Sequence, residues 1–272
     1  MGAIITLTSD FGLTDGYAAA MKGVILGINP DAQLVDISHA IDAQNIAAAA
    51  FVLGTACVHF PPGTVHLVVV DPGVGTEREG IALETPAACF VAPDNGVLSY
   101  VLRDYSCRDG RLVPGLRAVR LTKDRYWRSP VSSTFHGRDI FAPVAAHLSR
   151  GVPLADLGEF TETVQVLPVD GPRRGDDGSL IGSIIHIDRF GNLITNIGSD
   201  ILSGAQADAV ARVKDREIKG LSKTYAQRSG LLALVGSTGR LEIALKDGNA
   251  SEFLSAHIGD EVSVRMQGGD RP

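Results

Sequence analysis

The feature that most restricts the fold is a change of rhythm along the chain. Over the first 165 or so residues, short β-rich runs alternate with helical patterns; after the polar stretch "DGPRRGDDGS" (170–179) almost only strand and turn patterns remain. Alternation predicts a sheet covered by helices, and the later succession of short strands predicts a separate β unit. "AIITLT" (3–8) reads as a strand, and Tyr17, Ala20, Met21, Val24, Ile25 and Ile28 then recur at helical spacing, with Thr14 and Asp15 placed to cap the helix start. "QLVDI" reads as a second strand, a helix follows over about 43–59 until Pro61-Pro62-Gly63 ends it, and "VHLVVV", "IALET" and "ACFVAP" are further strands. "DNGVLSYVL" opens a short helix, and past the polar stretch only 249–256 has helical character. The expected fold is α/β: an N-terminal α/β sandwich-type domain (1–168) with a central, mostly parallel sheet, a linker (169–180), and a smaller C-terminal β-barrel-like domain (181–272).

Composition narrows the class of partner. With 272 residues, 44% of them hydrophobic, the chain can build a real core, and its net charge of -6 offers no basic footprint for a nucleic-acid backbone. Small-molecule chemistry is the expectation. Cys57, Cys89 and Cys107 are odd in number and form no C-x-x-C pair, which fits a reducing cytoplasm rather than a disulfide framework. The run from Ile46 to Phe60 is interrupted by Gly54, Thr55 and His59 and is shorter than the ~18 residues of a membrane span, so no membrane association is expected. No signal-peptide pattern precedes the first strand, and the "MGAIIT" match to a myristoylation pattern leads straight into a core strand, so it reads as chance.

Four polar clusters stand where strands end, the places from which α/β sheets aim functional side chains. "VVVDPGVGTERE" runs a buried strand into Asp71 and a glycine loop, returning with Arg78. The loop lacks the G-K-[ST] of a P-loop and the spacing of a dinucleotide fingerprint, so Asp71 either serves chemistry or merely accepts its own loop amides. "TSDFGLTDG" puts Asp10 where a carboxylate can receive the vicinal hydroxyls of a ribose, helix capping being the plainer alternative. "STFHGRDIFAP" offers His136 as a group able to orient or deprotonate water, or else a surface histidine beside an ordinary Arg138–Asp139 pair. "IDRFGNLITN" sets Asp188, Asn192 and Asn196 around a turn with Phe190; asparagine can read an adenine edge and Phe190 can lie against a base, unless the turn only satisfies its own backbone. Seven histidines without an H-x-x-x-H pair or a Cys/His cluster make a metal site the least favoured reading.

Taken in order, "SDFGLTD", "HAID", "FPPGTVHLVVVDPGVGTER", "APDNG", "FHGRDIFAPVAAHL", "DRFGNLITNI" and "GSTGRLEIAL" resemble the S-adenosyl-L-methionine hydrolase (adenosine-forming) family, also called hydroxide adenosyltransferases and related to the fluorinase and chlorinase enzymes. The resemblance spans nearly the whole chain. It implies hydrolysis of S-adenosylmethionine to adenosine and L-methionine by water or hydroxide at the ribose C5′ carbon, with no metal and no other cofactor. It also implies a homotrimer whose substrate lies between one subunit's first domain and its neighbour's second. The family's Asp-Arg-His set falls on Asp71, Arg78 and His136. By the same resemblance Asp10 holds the ribose, Asn192 the adenine, Phe190 and Tyr225 pack on the base, Asp188 meets the methionine ammonium and Ser237 its carboxylate. Halide-using relatives carry tyrosine where this chain has Asp71 and serine where it has Gly137, so a halide would face a carboxylate and be repelled. Thr238 stands where those relatives place an arginine, and Gly236 where many have asparagine. A halogenase and a non-catalytic adenosine or S-adenosylmethionine sensor are the competing classes.

Overall fold

A computed structural model describes residues 2–107, 109–168, 170–202 and 209–266. The chain divides into two compact units, Met1–Val169 and Asp170–Pro272.

In the first unit the elements run β1 (Ile4–Ser9), α1 (Tyr17–Ile28), β2 (Gln33–Ser38), α2 (Ile46–Cys57), β3 (Thr64–Val69), β4 (Gly80–Glu84), β5 (Ala88–Pro93), α3 (Ser99–Asp104), β6 (Arg117–Leu121), α4 (Ala142–Ser149) and β7 (Gly158–Thr161). They build one seven-stranded sheet in the order β2-β1-β3-β5-β4-β6-β7. Strand β3 shows why its sequence is mostly apolar. Val65, Leu67 and Val69 pack with Met21 and Ile25 of α1 and Val144 of α4, while Val68 and the adjoining Val70 pack on the opposite face with Leu53 of α2 and Leu102 of α3. Side chains alternate between faces, and here both faces are covered, so the polar residues of the strand, Thr64 and His66, are buried as well and find partners inside, His66 bonding Thr6 through Nδ1. Each such side chain contributes about 1.5–3 kcal/mol by leaving water.

The expectation of a mostly parallel sheet needs refinement. Strand β1 is parallel to β2 and β3, and β3 to β5, but β4, β6 and β7 join antiparallel. The capping expectation for α1 is corrected: its N-cap is Gly16, with no side-chain bond, and neither Thr14 nor Asp15 serves. Helix α2 does have a side-chain cap, Asn45 accepting from the Ala48 amide at 2.9 Å.

The parallel half prepares a binding place. From β1 the chain crosses through α1 to β2 on one side, then returns through α2 to β3 on the other, with α1 and α2 on opposite faces. Strand order therefore reverses between β1 and β3, which opens a crevice beyond their carboxyl ends.

The second unit is nearly all strand: β8 (Arg173–Arg174), β9 (Leu180–Ile187), β10 (Leu193–Gly198), β11 (Ala209–Val213), β12 (Arg216–Lys219), β13 (Leu221–Ser222), β14 (Leu231–Val235), β15 (Arg240–Leu245), α5 (Ala250–Leu254) and β16 (Glu261–Met266). The order is β12-β11-β16-β9-β10-β15-β14-β13, with β8 on β9. The sheet curls until β12 lies against β14, around Leu193, Ile197, Leu241, Ile243, Val262 and Val264, giving a barrel-like body. Asn249 caps α5 by accepting from the Glu252 amide. Among the described residues no helix is long and apolar enough to cross a membrane.

Candidate active site

Ser9 and Val69 are register partners at the ends of β1 and β3, so the residues that follow, Asp10 on one strand and Val70-Asp71 on the other, enter the crevice side by side. Asp71 is held from behind. Asn95 donates its amide to the Val70 carbonyl at 2.9 Å, which anchors the backbone one residue before the acid. Ahead of it the loop turns tightly, Val74 donating to the Asp71 carbonyl and Thr76 to that of Gly73. Gly75 has φ +78°, and a Cβ there would stand 2.5 Å from the Ser133 carbonyl oxygen. Only glycine fits both the angle and the space.

This loop brings Arg78 back over the strand end. Its Nε donates to Asp71 Oδ1 at 2.9 Å, an Nη donates to Asp71 Oδ2, and the same Nη donates to His136 Nδ1 at 3.2 Å. The guanidinium also stacks over Phe141 at 5.2 Å. Both partners of the pair are nearly inaccessible, at 10% and 5% for the Arg78 and Asp71 side chains, so the charges meet where solvent screens them weakly. Burial pushes the Asp71 carboxyl above the ordinary carboxylate value, and Arg78 pulls it partly back. Burial, reinforced by the positive Arg78, pushes His136 below the ordinary histidine value. Arginine has no acceptor, so His136 Nδ1 receives the bond and the neutral ring carries its proton on Nε2.

His136 stands where the chain enters a π-helical turn, Gly137–Phe141, that leads into α4. Asp139, wholly buried, braces that turn: Arg138 binds both its oxygens at 2.7 Å, Arg128 donates at 3.1 Å and the Ser132 amide at 2.9 Å. The Arg138–Asp139 pair is therefore more than a surface ion pair, because it ties the 128–132 loop to the segment that aims His136. Gly137 lies against Val69 and Met21, where a Cβ would come within 3.0 and 3.2 Å of their side chains.

Asp10, Asp71 and His136 share the wall of an open cleft of about 370 Å³ with Phe11, Tyr17 and Phe135. The three aromatic rings pack on one another at 5.3–5.7 Å. Asp10 Oδ2 accepts the Gln44 amide at 2.7 Å, leaving Oδ1 for another donor.

In the second unit, Asp188, Phe190 and Asn192 sit on the turn between β9 and β10. Asp188 Oδ1 accepts the amides of Phe190 and Asn192, and Oδ2 accepts Asn192 Nδ2, all at 2.9 Å. Asn192 thus presents its carbonyl oxygen, while Phe190 is 75% exposed. Asn196 is turned to structural work, bonding the Ser183 amide and the Asp170 carbonyl. Tyr225 is half-exposed and donates its phenol to Glu242 Oε1 at 2.5 Å. Ser237 is exposed on the β14–β15 turn. Sequence reading passed over Asn95, Asp139 as a brace, and Glu242. The signal for Glu242 was present in "RLEIAL", an acid flanked by inward-packing residues in a central strand.

Comparison with known proteins places both units of the chain in one family. Residues 5–158 match the SAM hydroxide adenosyltransferase N-terminal domain and residues 182–263 its C-terminal domain. The chain is 37% identical to a protein of Methanocaldococcus jannaschii named (R)-S-adenosyl-L-methionine hydrolase, across 96% of this chain and 95% of that one. It is 38% identical to one of the same name from Salinispora tropica, across 96% and 97%. The crystal structure of an uncharacterized conserved protein from Thermotoga maritima superposes with a TM-score of 0.86 at 40% identity, covering 96% of this chain and 99% of that one. With both domains matched in order and full-length relatives well above 30% identity, this chain belongs to the SAM hydroxide adenosyltransferase family.

Proposed function

We propose that this protein hydrolyses S-adenosylmethionine to adenosine and L-methionine. One observation carries the reading: Asp71 and Arg78, on one loop, meet His136, 58 residues beyond Arg78, at the strand switch point, and Asp71 and His136 line a cleft that also holds Asp10. A sulfonium is already a good leaving group, so the protein's work is to aim one water at C5′ and keep other nucleophiles out. The C5′–S bond breaks with its electron pair passing to sulfur, which leaves as the neutral thioether of methionine, while the water oxygen bonds to C5′.

The hydrogen bonds favour a division of labour. Arg78 occupies His136 Nδ1, so the ring offers the water a donor, Nε2–H. Asp71 keeps lone pairs beyond those Arg78 uses, and its raised pKa makes it the better base, so Asp71 takes the proton. In the same reading Asp10 Oδ1 holds the ribose hydroxyls, the Asn192 carbonyl accepts from the adenine amine, and Phe190 lies on the base. The resemblance to the family further supports a homotrimer, and the scattered cysteines without a C-x-x-C pair support a reducing cytoplasm.

Incubation with S-adenosylmethionine, with and without chloride, followed by chromatography of the products, tests the reading. Adenosine and methionine in both samples are expected. A chlorinated nucleoside would make the protein a halogenase, and recovery of intact substrate would make it a binder.

A further inference from the structure

Behind Asp10 lies a cluster that the proposed reaction does not use. Ser9 Oγ and His39 Nδ1 are 2.7 Å apart, His39 Nε2 and Asp36 Oδ1 are 3.0 Å apart, and Lys22 Nζ of α1 donates to Asp36 Oδ2 at 2.6 Å. A serine, a histidine and an aspartate in a row resemble a nucleophilic triad, but Ser9 is 0% exposed and His39 4%. No substrate carbon reaches that hydroxyl. The cluster is explained instead by what it holds.

Its protons run in one direction. Asp36, paired with Lys22, is a carboxylate and only accepts, so His39 carries its proton on Nε2 and its Nδ1 accepts from the Ser9 hydroxyl. The Ser9 oxygen keeps lone pairs for the Phe11 amide, which donates to it at 3.4 Å. His39 also grips the segment through its backbone, its carbonyl accepting the Gly12 amide at 2.7 Å. Further along the same β2–α2 connection, the Gln44 amide donates to Asp10 Oδ2 at 2.7 Å. The residues on both sides of Asp10, and one oxygen of Asp10 itself, are therefore fixed by a single neighbouring loop.

The strand register brings this loop into place. Strands β1 and β2 pair Leu7 with Asp36 but Thr8 with Ser38, so β2 carries one extra residue there, and His39 comes level with Ser9. Asp10 and Phe11 form part of the cleft wall, while Ser9 and His39 are buried behind it. A carboxylate constrained in this way presents its other oxygen, Oδ1, in one direction. Hydroxyl groups gain most from an acceptor already in place, because little side-chain freedom is lost on binding.

We propose that His39 is a positioning residue for ribose recognition: acting through Ser9 and the Gly12 amide, it aims Asp10 at the vicinal hydroxyls and so sets the preference for ribose over deoxyribose nucleosides. This rests on the reading of Asp10 as the residue that holds the ribose of S-adenosylmethionine.

The test is calorimetric binding of adenosine and 2′,3′-dideoxyadenosine to the full-length wild type, Asp10→Ala, His39→Phe and His39→Asn. His39→Phe removes both ring nitrogens and should bind adenosine about tenfold more weakly, the order of a lost hydrogen bond to a charged group, with dideoxyadenosine affinity unchanged. His39→Asn sets an amide oxygen near the place of Nδ1 and should recover most of the loss, which ring packing alone does not predict. Equal weakening of both nucleosides, weakening of neither, or no recovery in His39→Asn would overturn the proposal. Should His39→Phe not fold, Ser9→Ala removes the intervening hydroxyl and is held to the same two-ligand pattern. If Asp10→Ala kept the wild-type preference for adenosine, the ribose reading itself would fail and the proposal with it. A preference lost in Asp10→Ala but kept in His39→Phe would overturn the proposal alone.

Discussion

Asp71 carries the heaviest demand placed on any one side chain. Asp71→Asn removes the proton acceptor while keeping the shape, so turnover should fall by about 10²- to 10⁴-fold, with adenosine affinity in calorimetry within a few-fold of wild type. Wild-type turnover by this variant would remove Asp71 from the chemistry. The pH response follows from the same group. Its pKa is raised by burial, so activity present at neutral pH should be lost as pH falls through that raised value, earlier than for an ordinary carboxylate. His136, already neutral because its pKa is lowered, adds no loss at neutral pH.

His66 offers a stability counterpart away from the cleft. It is fully buried on β3, bonded through Nδ1 to Thr6 and stacked on Phe90, with no partner for Nε2. Burial pushes its pKa from 6.5 to about 4. The unfolded chain takes up this proton first, so the contribution is whole above the unfolded value and is lost as pH falls from there toward the folded one. Linkage puts the loss at about 2 kcal/mol by roughly pH 5. Urea unfolding at neutral and acid pH should show that loss in the wild type and a flatter profile in His66→Phe; identical profiles would contradict it.

Among the elements, the loop between β3 and β4 is the most tightly specified. Gly75→Ala forces a left-handed angle on alanine and drives its Cβ into the Ser133 carbonyl. A cost above about 1 kcal/mol is expected, with turnover falling because Arg78 rides on the same loop. Asn45→Ala, which removes the α2 cap, should cost about 1 kcal/mol in denaturant unfolding while leaving turnover intact. Their contrast separates the loop's role in catalysis from mere stability.

The same elements show what sequence makes legible. Strand β3 was readable because burial on two faces writes a nearly continuous apolar run, interrupted only by His66 between Val65 and Val70, and α2 because its alanine-rich face repeats at helical spacing. Strands β6 ("RAVRL") and β7 ("GEFT") were not marked as strands, since charges on the antiparallel margin interrupt the pattern; that is also why the sheet read as more parallel than it is. The start of α1 was misjudged because Thr14 and Asp15 look like caps while the chain turns at Gly16. The π-helical turn at Gly137–Phe141 has no periodic signature. As for the cleft, Asp71, Arg78 and His136 could be named from ordered motifs, but their meeting depends on contacts across 58 residues, which no local pattern contains. Glu242 went unremarked because one acid in a strand says nothing of which oxygen is engaged.

At the scale of the molecule, the two units have separate cores, the first on both faces of its sheet and the second inside its barrel-like body. The groups assigned to water and ribose belong to the first, and those assigned to adenine and the methionine end to the second. A protein holding residues 1–169 alone should therefore show little adenine preference and no measurable hydrolysis; full activity from that fragment would refute the assignment of roles. Light scattering of the whole protein should give the mass of three chains, and a monomer that retained full activity would count against the trimeric form.

The reversal of strand order between β1 and β3 reaches beyond this one reaction. Its crevice is a by-product of chain routing, in place before any particular side chain is chosen to line it. Replacing the acid that ends β3 leaves the apolar interior on either side untouched. Such a scaffold lets evolution trade one attacking species for another without having to reinvent how the chain folds.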